Sequence, residues 1–462
     1  MSKKETVFVC QECGYESPKW AGQCICGAWN SFVEERISPA GATGANRQPG
    51  IGGHSAGSER QAGAVSLFEV KSGEYERMDT GISELNRVLG GGLVKGSLTL
   101  VAGEPGIGKS TVILEAAAHI AEKYGPVLYV SGEESEEQIR MRADRVCPNL
   151  PRRLYLLAET NMERIFDVIS RTKPSFLIVD SIQTMYSGYL ESAPGSVSQV
   201  RTCTGELMRF GKNDGIPVFI VAHVTKSGDL AGPKIVEHLV DCVLLFTGER
   251  DQDLRILRSN KNRFGTTSEI GAFEMGESGL IPIENLSKSF LDGMDADAEG
   301  AVATAIYEGT RPLLLELQAL TAPANVGFAR RSALGVEAPR LNMILAVLER
   351  RAGISLTNQD VYVNVVGGVK PEGTSLDLAV ALAIYSSFRG IPAGAKTLAI
   401  GEISLTGDLR SVRHADKIVN EAARLGFSRV ILPKKNVEKL RGGADAIRLA
   451  GVNSVREAIA LL

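Results

Sequence analysis

The sequence predicts an α/β protein built on a mostly parallel sheet, with a small cysteine-rich module ahead of it and a second α/β unit behind it. Three observations carry that expectation. Gly103-Glu104-Pro105-Gly106-Ile107-Gly108-Lys109-Ser110 fits the G-x-x-x-x-G-K-S/T pattern of a phosphate-binding loop and follows the β-prone run 97–102. Between residues 64 and 290, short β-branched runs alternate with segments of helical period, as in a parallel sheet covered by helices. Four of the seven cysteines crowd into residues 10–26, whereas Cys147, Cys203 and Cys242 are scattered through apolar segments, which suits a metal site and buried thiols better than disulfides.

Taken in order, residues 1–36 read as a four-cysteine zinc-binding module. Cys10-x-x-Cys13 and Cys24-x-Cys26 flank an excursion that contains Trp20, a layout that can wrap four thiolates around one Zn2+. Residues 37–63 are rich in Gly, Ala, Ser and Pro with almost no recurring apolar residue, the composition of a flexible linker. In the stretch 64–290, strands are expected at 98–101, 127–131, 176–180, 218–223 and 243–246, and helices at 110–123, 134–146 and 197–212. The acidic segment 292–299, broken by Gly293, sets a boundary near 290. Residues 291–462 then show helical period at 340–350 and 375–386 and strands at 361–366 and 430–432.

Gly103 through Thr111 form the candidate nucleotide-binding segment. Glycines let successive backbone N–H groups turn toward phosphate oxygens, and the helix that follows aims its positive end at the same charge. Lys109 is placed to reach the β- and γ-phosphates of ATP, and Ser110 to hold Mg2+. Asp180 closes the apolar run 176–180, where its carboxylate would sit beside that Mg2+. Glu133 and Glu134 follow the strand 127–131; Glu133 is the candidate to orient and deprotonate water, with Glu134 as its partner. Both also fit the first turn of the next helix, where acids are favoured by its dipole. His223 ends the strand 218–223 as a γ-phosphate sensor or as a hydrogen-bonded structural histidine.

Net charge is only −3, so no global basic field draws the chain to nucleic acid and any such contact must come from local clusters. No apolar run reaches the roughly 18 residues of a membrane helix, and the start Met1-Ser2-Lys3-Lys4-Glu5 has no apolar signal core. These features predict a cytoplasmic protein without membrane contact.

The run 80–93 with its Gly90-Gly91-Gly92, the phosphate-binding loop, Ser131-Gly132-Glu133-Glu134-Ser135, His223-Val224-Thr225-Lys226 and Lys261-Asn262-Arg263-Phe264-Gly265 together resemble the RadA (Sms) family of bacterial DNA repair proteins. The resemblance covers nearly the whole chain. It implies a zinc-ribbon-like module, a RecA-like P-loop ATPase core with the KNRFG motif, and a Lon-protease-like α+β domain. It also implies a DNA-dependent ATPase acting as a hexameric ring on single-stranded and branched DNA, in cooperation with a recombinase of the RecA type. Lys261 and Arg263, read as lying past the last core strands, would then act on the nucleotide of a neighbouring subunit, as arginine fingers do. Loops near 187–198 and 225–234 would face the channel, with Lys226 and Lys234 as the nearest cations for DNA phosphates and Tyr186 and Tyr189 as the nearest aromatics.

Two departures qualify the resemblance. The family has two residues between its third and fourth cysteines, and here only Ile25 separates them. In the Lon-like tail, Asp377 and Asp416 fall near the slots of a Ser/Lys dyad, with Ser375 and Lys417 close by in sequence, so a non-proteolytic scaffold is expected. Arg330, Arg331, Arg350 and Arg351 would be its contacts to DNA phosphates. An ATP-dependent Ser/Lys protease and a non-motor signalling ATPase are the alternatives.

Overall fold

Short apolar runs such as Val127–Ser131 and Phe176–Asp180 are buried along their whole length, which requires cover on both faces of a sheet. The computed structural model describes residues 5–10, 15–37, 66, 68, 75–223, 235–248, 253–277, 279–295, 297–324, 329–367, 371, 373–394, 396–440 and 447–462. The chain divides into two units, Met1–Pro282 and Ile283–Leu462.

The first unit is organised by a nine-stranded sheet. Its strands are β1 (Leu98–Gly103), β2 (Val127–Ser131), β3 (Leu154–Ala158), β4 (Phe176–Asp180), β5 (Val218–His223), β6 (Cys242–Thr247), β7 (Leu254–Asn262), β8 (Ile270–Gly276) and β9 (Gly279–Pro282). They lie in the order β9-β8-β7-β6-β1-β5-β4-β2-β3, parallel from β6 to β3 and antiparallel from β6 to β9. Period-two alternation sorts the side chains into two layers. Tyr129, Ile178, Phe219 and Leu244 share one layer with Ile113, Leu114 and Ala117 of the helix Lys109–Lys123. Leu128, Leu177 and Ile220 share the other with Ile165 and Leu207 of the helices Met162–Thr172 and Val197–Asp214.

The strands expected from sequence are present, and four more join them. β3 is a half-exposed edge, and β7 alternates buried Arg255, Leu257 and Ser259 with partly exposed positions, so neither reads as a continuous apolar run. This corrects one placement. Lys261 does not lie past the core strands but within β7, opposite Val243 of β6.

Ahead of the sheet, the strand Glu5–Cys10 pairs antiparallel with Glu16–Ser17 and with Phe32–Ile37. Cys147, Cys203 and Cys242 are buried, and no disulfide joins the described cysteines. Burial pushes these three thiols up to about 11, 12 and 12 respectively, which keeps them protonated and inert.

The second unit has a seven-stranded mixed sheet centred on the hairpin of β10 (Ala301–Glu308) and β11 (Arg311–Pro323). The short helix Leu286–Leu291 packs on β11, and Ser287 Oγ accepts from Leu314 N at 3.1 Å. The division therefore falls ahead of residue 290, and the acidic stretch 292–299 lies inside the second unit rather than between the two. The helix Ala338–Val347 ends in a π turn, Leu348–Ala352, that carries Arg350 and Arg351.

Asp377 begins the buried helix Asp377–Arg389 and is gripped by one guanidinium edge of Arg340, through Nε at 2.9 Å and through Nη2, while Ile403 N donates to it at 2.9 Å. Burial pushes the Asp377 carboxyl above its usual range, and Arg340 and Ile403 pull against that shift. Asp377→Ala strands a largely buried guanidinium and is expected to destabilise the full chain by about 3 kcal/mol. Calorimetry measures this, with Asp377→Ala/Arg340→Met expected to recover part of the loss.

Candidate nucleotide-binding site

In a parallel sheet the carboxyl ends of the strands share one edge, and a ligand crevice forms there. Register aligns His223 with Gly103 and Ser131 with Asp180, so the phosphate-binding loop, both candidate acids and the histidine meet at that edge. Gly106 at φ +80° and Gly108 at φ +112° hold the loop in a left-handed course that side-chain-bearing residues rarely adopt. Ile107 anchors the loop in the core, and a Cβ on Gly108 would meet Leu280 Cδ1 at 2.7 Å. Pro105 is exposed, and Thr111 stands in the first helical turn beside Gly279.

Lys109 is 4 % exposed. Its ammonium donates to the carbonyls of Gly103 at 2.8 Å and Glu104 at 2.9 Å, and lies 3.2 Å from His223 Nδ1. His223 Nε2 is in turn 3.1 Å from Glu133 Oε2, whose other oxygen accepts from Ser181. Burial lowers the Lys109 ammonium to about 8 against the attraction of Asp180 and Glu133. Burial acts to raise Glu133, yet the bonds from Ser181 and His223 together hold its carboxyl below the usual range. It is thus an ionised base next to the lysine.

Ser110 Oγ donates to Asp180 Oδ2 at 2.7 Å. A hydroxyl and a carboxylate joined at the start of the loop helix are a hard oxygen pair suited to Mg2+, and the open glycine turn beside them suits phosphate. Glu134 is held differently from Glu133: its carboxylate pairs with Arg142. The next helix begins at Glu136 under a capping box of Ser135 and Gln138, so Glu133 and Glu134 precede the cap rather than occupy the first turn. Tyr129, Ser181 and Arg142 are site residues that sequence reasoning missed. The only signal for Tyr129 was its position two residues before Ser131 on the same strand face.

Lys261 and Arg263 sit at the other end of the sheet. Lys261 Nζ donates to the carbonyls of Glu237 at 2.7 Å and His238 at 3.3 Å, and Arg263 pairs at 3.1 Å with the buried Asp241. Burial and the neighbouring Arg263 lower the Lys261 ammonium against the attraction of Asp241 and Glu237. Asp241 also accepts from Leu98 N at 3.1 Å, the first residue of β1. Phe264 O accepts from Arg77 at 2.6 Å, and a Cβ on Gly265 would approach Gly90 Cα to 3.2 Å, which ties the motif to the run 80–93. Lys226 and Lys234 lie outside the described residues. Tyr189 is exposed on the loop after β4, and buried Gln199 bonds that loop's backbone at Ser187, Leu190 and Ser192.

In the cysteine module, the sulfurs of Cys10, Cys24 and Cys26 all lie within 4.8 Å of one another, and Cys10 Sγ is 3.9 Å from Cys26 Sγ. Zinc–sulfur bonds of about 2.3 Å set a tetrahedral edge of roughly 3.8 Å, so these thiols fit zinc. Gly27, at φ +93°, closes the turn after Cys26 with its N–H on Cys24 O at 2.9 Å, which lets the shortened C-x-C pair converge. Cys13 lies outside the described residues.

Family models match three segments of the chain. Residues 65–229 match the AAA domain, residues 8–34 the rubredoxin metal-binding domain, and residues 331–436 the ChlI subunit of Mg-chelatase. DNA repair protein RadA of Bacillus subtilis strain 168 is 49% identical over 463 residues, with 99% of each chain covered. The chain belongs to the RadA family. RadA of Halalkalibacterium halodurans is 49% identical over 473 residues, again with 99% of each covered. A solved KaiC-like protein of Pyrococcus horikoshii is 19% identical, with a TM-score of 0.38, and the match covers 45% of this chain and 99% of that one. As a RadA-family member, the chain has a zinc-ribbon module, a RecA-like ATPase core and a ChlI/Lon-like second unit. Among the described residues, no helix is long and apolar enough to cross a membrane.

The depressed ammonium gives this ATPase site a pH signature. In the unfolded chain Lys109 keeps its proton to about 10.5, and in the folded protein to about 8. Between those values the unfolded state binds more protons, so the free protein gains stability as pH rises through that window, while below it the full burial penalty is present. Thermal melts across the window should show this rise in the wild type and not in Lys109→Met.

Proposed function

We propose that this chain is a cytoplasmic DNA-dependent ATPase motor of homologous recombination that binds single-stranded DNA and branch-migrates recombination intermediates as a hexameric ring, in partnership with a recombinase of the RecA type. One observation carries the reading. Asp241 ties Arg263 to Leu98 at one end of β1, Lys261 lies level with Leu100, and the phosphate-binding loop begins at Gly103 at the other end. At about 3.3 Å per residue the strand sets Arg263 roughly 17 Å and Lys261 roughly 10 Å from the loop, and the Lys261 ammonium is already held by the carbonyls of Glu237 and His238. A cation pair so placed serves a neighbour.

Within one subunit, Lys109 binds the β- and γ-phosphates, the loop N–H groups surround them, and Ser110 with Asp180 holds the divalent cation. Bound Mg2+ would neutralise charge on the phosphate oxygens. Glu133, ionised and steadied by Ser181 and His223, orients a water and takes its proton. His223 links that base to Lys109, so loss of the γ-phosphate is felt at both. Lys226 and Lys234 contact DNA phosphates. Zinc bound by Cys10, Cys13, Cys24 and Cys26 would cross-link the small module, which offers Trp20 and Trp29, 54 % and 70 % exposed, as a surface for the recombinase. The second unit is a non-proteolytic scaffold. Ser375 Oγ approaches Ala305 O at 3.5 Å while Lys417 Nζ donates to Tyr307 at 2.6 Å, so each has its own partner.

ATP hydrolysis with and without single-stranded DNA tests the reading. DNA should stimulate the wild type, Lys109→Ala should abolish turnover, and Lys261→Ala should retain ATP affinity while losing about a hundredfold in DNA-stimulated rate. Normal turnover in Lys261→Ala removes the action across subunits, and DNA-indifferent hydrolysis in the wild type favours a signalling ATPase. Casein cleavage lost in Ser375→Ala would restore the protease. Separately, elemental analysis of the washed protein should find about one zinc per chain, lost in Cys26→Ser.

A further inference from the structure

Two hydroxyls converge on one oxygen of the strand-end acid. Ser110 donates to Asp180 Oδ2 at 2.7 Å from the loop helix, and Tyr129 donates to the same atom at 2.5 Å from within the sheet. Register explains the second contact: Tyr129 of β2 lies beside Ile178 of β4, and Ser131 beside Asp180. Alternation turns 129, 131, 178 and 180 to one face, the face covered by the helix Lys109–Lys123. Tyr129 is 1 % exposed in that apolar layer, where a phenol without a partner would be costly. Its one proton is committed to the acid.

We propose that Tyr129 is a positioning residue for the divalent cation that accompanies the nucleotide. A carboxylate at a strand end can rotate about its Cβ–Cγ bond, and a single bond from Ser110 would leave that rotation soft. The phenol, rigid and wedged in the core, fixes Oδ2 as a shared acceptor. Asp180 then takes the Ser110 proton, which leaves lone pairs of the serine oxygen available to a cation. Phe at this position would fill the same space and drop the bond. This inference rests on the reading of the site as one for a triphosphate with its metal.

The test uses full-length Tyr129→Phe, with thermal melting to establish that it folds. A fluorescent ATP analogue is titrated in EDTA and then at rising Mg2+, and Mn2+ affinity in the presence of ADP is read by electron paramagnetic resonance. The affinity in EDTA should match wild type, and the Mg2+ and Mn2+ concentrations at half-effect should rise about tenfold, as for other partners of metal-holding groups. Tyr129→Met, which also lacks the hydroxyl, should show the same shift and serves if the Phe variant does not fold. Metal curves that superpose on wild type in a folded variant overturn the positioning role and leave the nucleotide site standing. Equal wild-type affinity in EDTA and Mg2+ would instead overturn the reading beneath it.

Discussion

The structure turns on a buried positive charge. Lys109 is almost fully enclosed, and an ammonium removed from water is costly unless its protons are matched. Two carbonyls of the loop and the ring of His223 meet them, and Glu133 stands behind the histidine. That arrangement only partly offsets the burial, as the lowered proton affinity shows. In the proposed reading an incoming phosphate would relieve that residual deficit, so the same physics that strains the free site would drive ligand capture. The histidine that meets Lys109 also bonds Glu133, so the lysine and the proposed base are linked.

The sheet gives that local chemistry a direction. Parallel strands place every carboxyl end on one side, so the groups of the site have no choice of edge. The antiparallel return of β7 carries the KNRFG cations to the opposite side, where Asp241 joins Arg263 to the first residue of the phosphate-loop strand. Arg77 and the close approach of Gly265 to Gly90 fasten the motif from a third direction. The two charged regions are thus held apart along one rigid element, Lys261 by the carbonyls of Glu237 and His238 and Arg263 by Asp241.

Much of this was legible in the sequence because its signals were local. A glycine loop after an apolar strand, acids at strand ends and a histidine at another each declare themselves within a few residues, and the central strands read as uninterrupted apolar runs. The outer strands did not, since an edge needs only one buried face and β7 buries even an arginine. Lys261 was misplaced for that reason. The partners of the site residues were illegible for another: Tyr129, Ser181 and Arg142 act through contacts set by register and by helix packing across long stretches of chain. The role read for Glu134 met a competitor, Arg142, that only the fold could bring beside it.

The second unit is organised around a buried ion pair. A serine nucleophile needs an exposed hydroxyl and a base in reach, held in a site that admits substrate. At the head of the helix Asp377–Arg389 the structure has instead an acceptor-only carboxylate, buried and gripped by Arg340. Such a pair adds little to stability against a well-packed apolar alternative, but breaking it strands a charge, so it fixes the geometry of the elements it joins. Arg340 also donates to the carbonyl of Ile403, and Ile403 N returns a bond to Asp377, closing a loop between two helices and a strand. The pair thereby acts as a constraint that fixes these elements against one another.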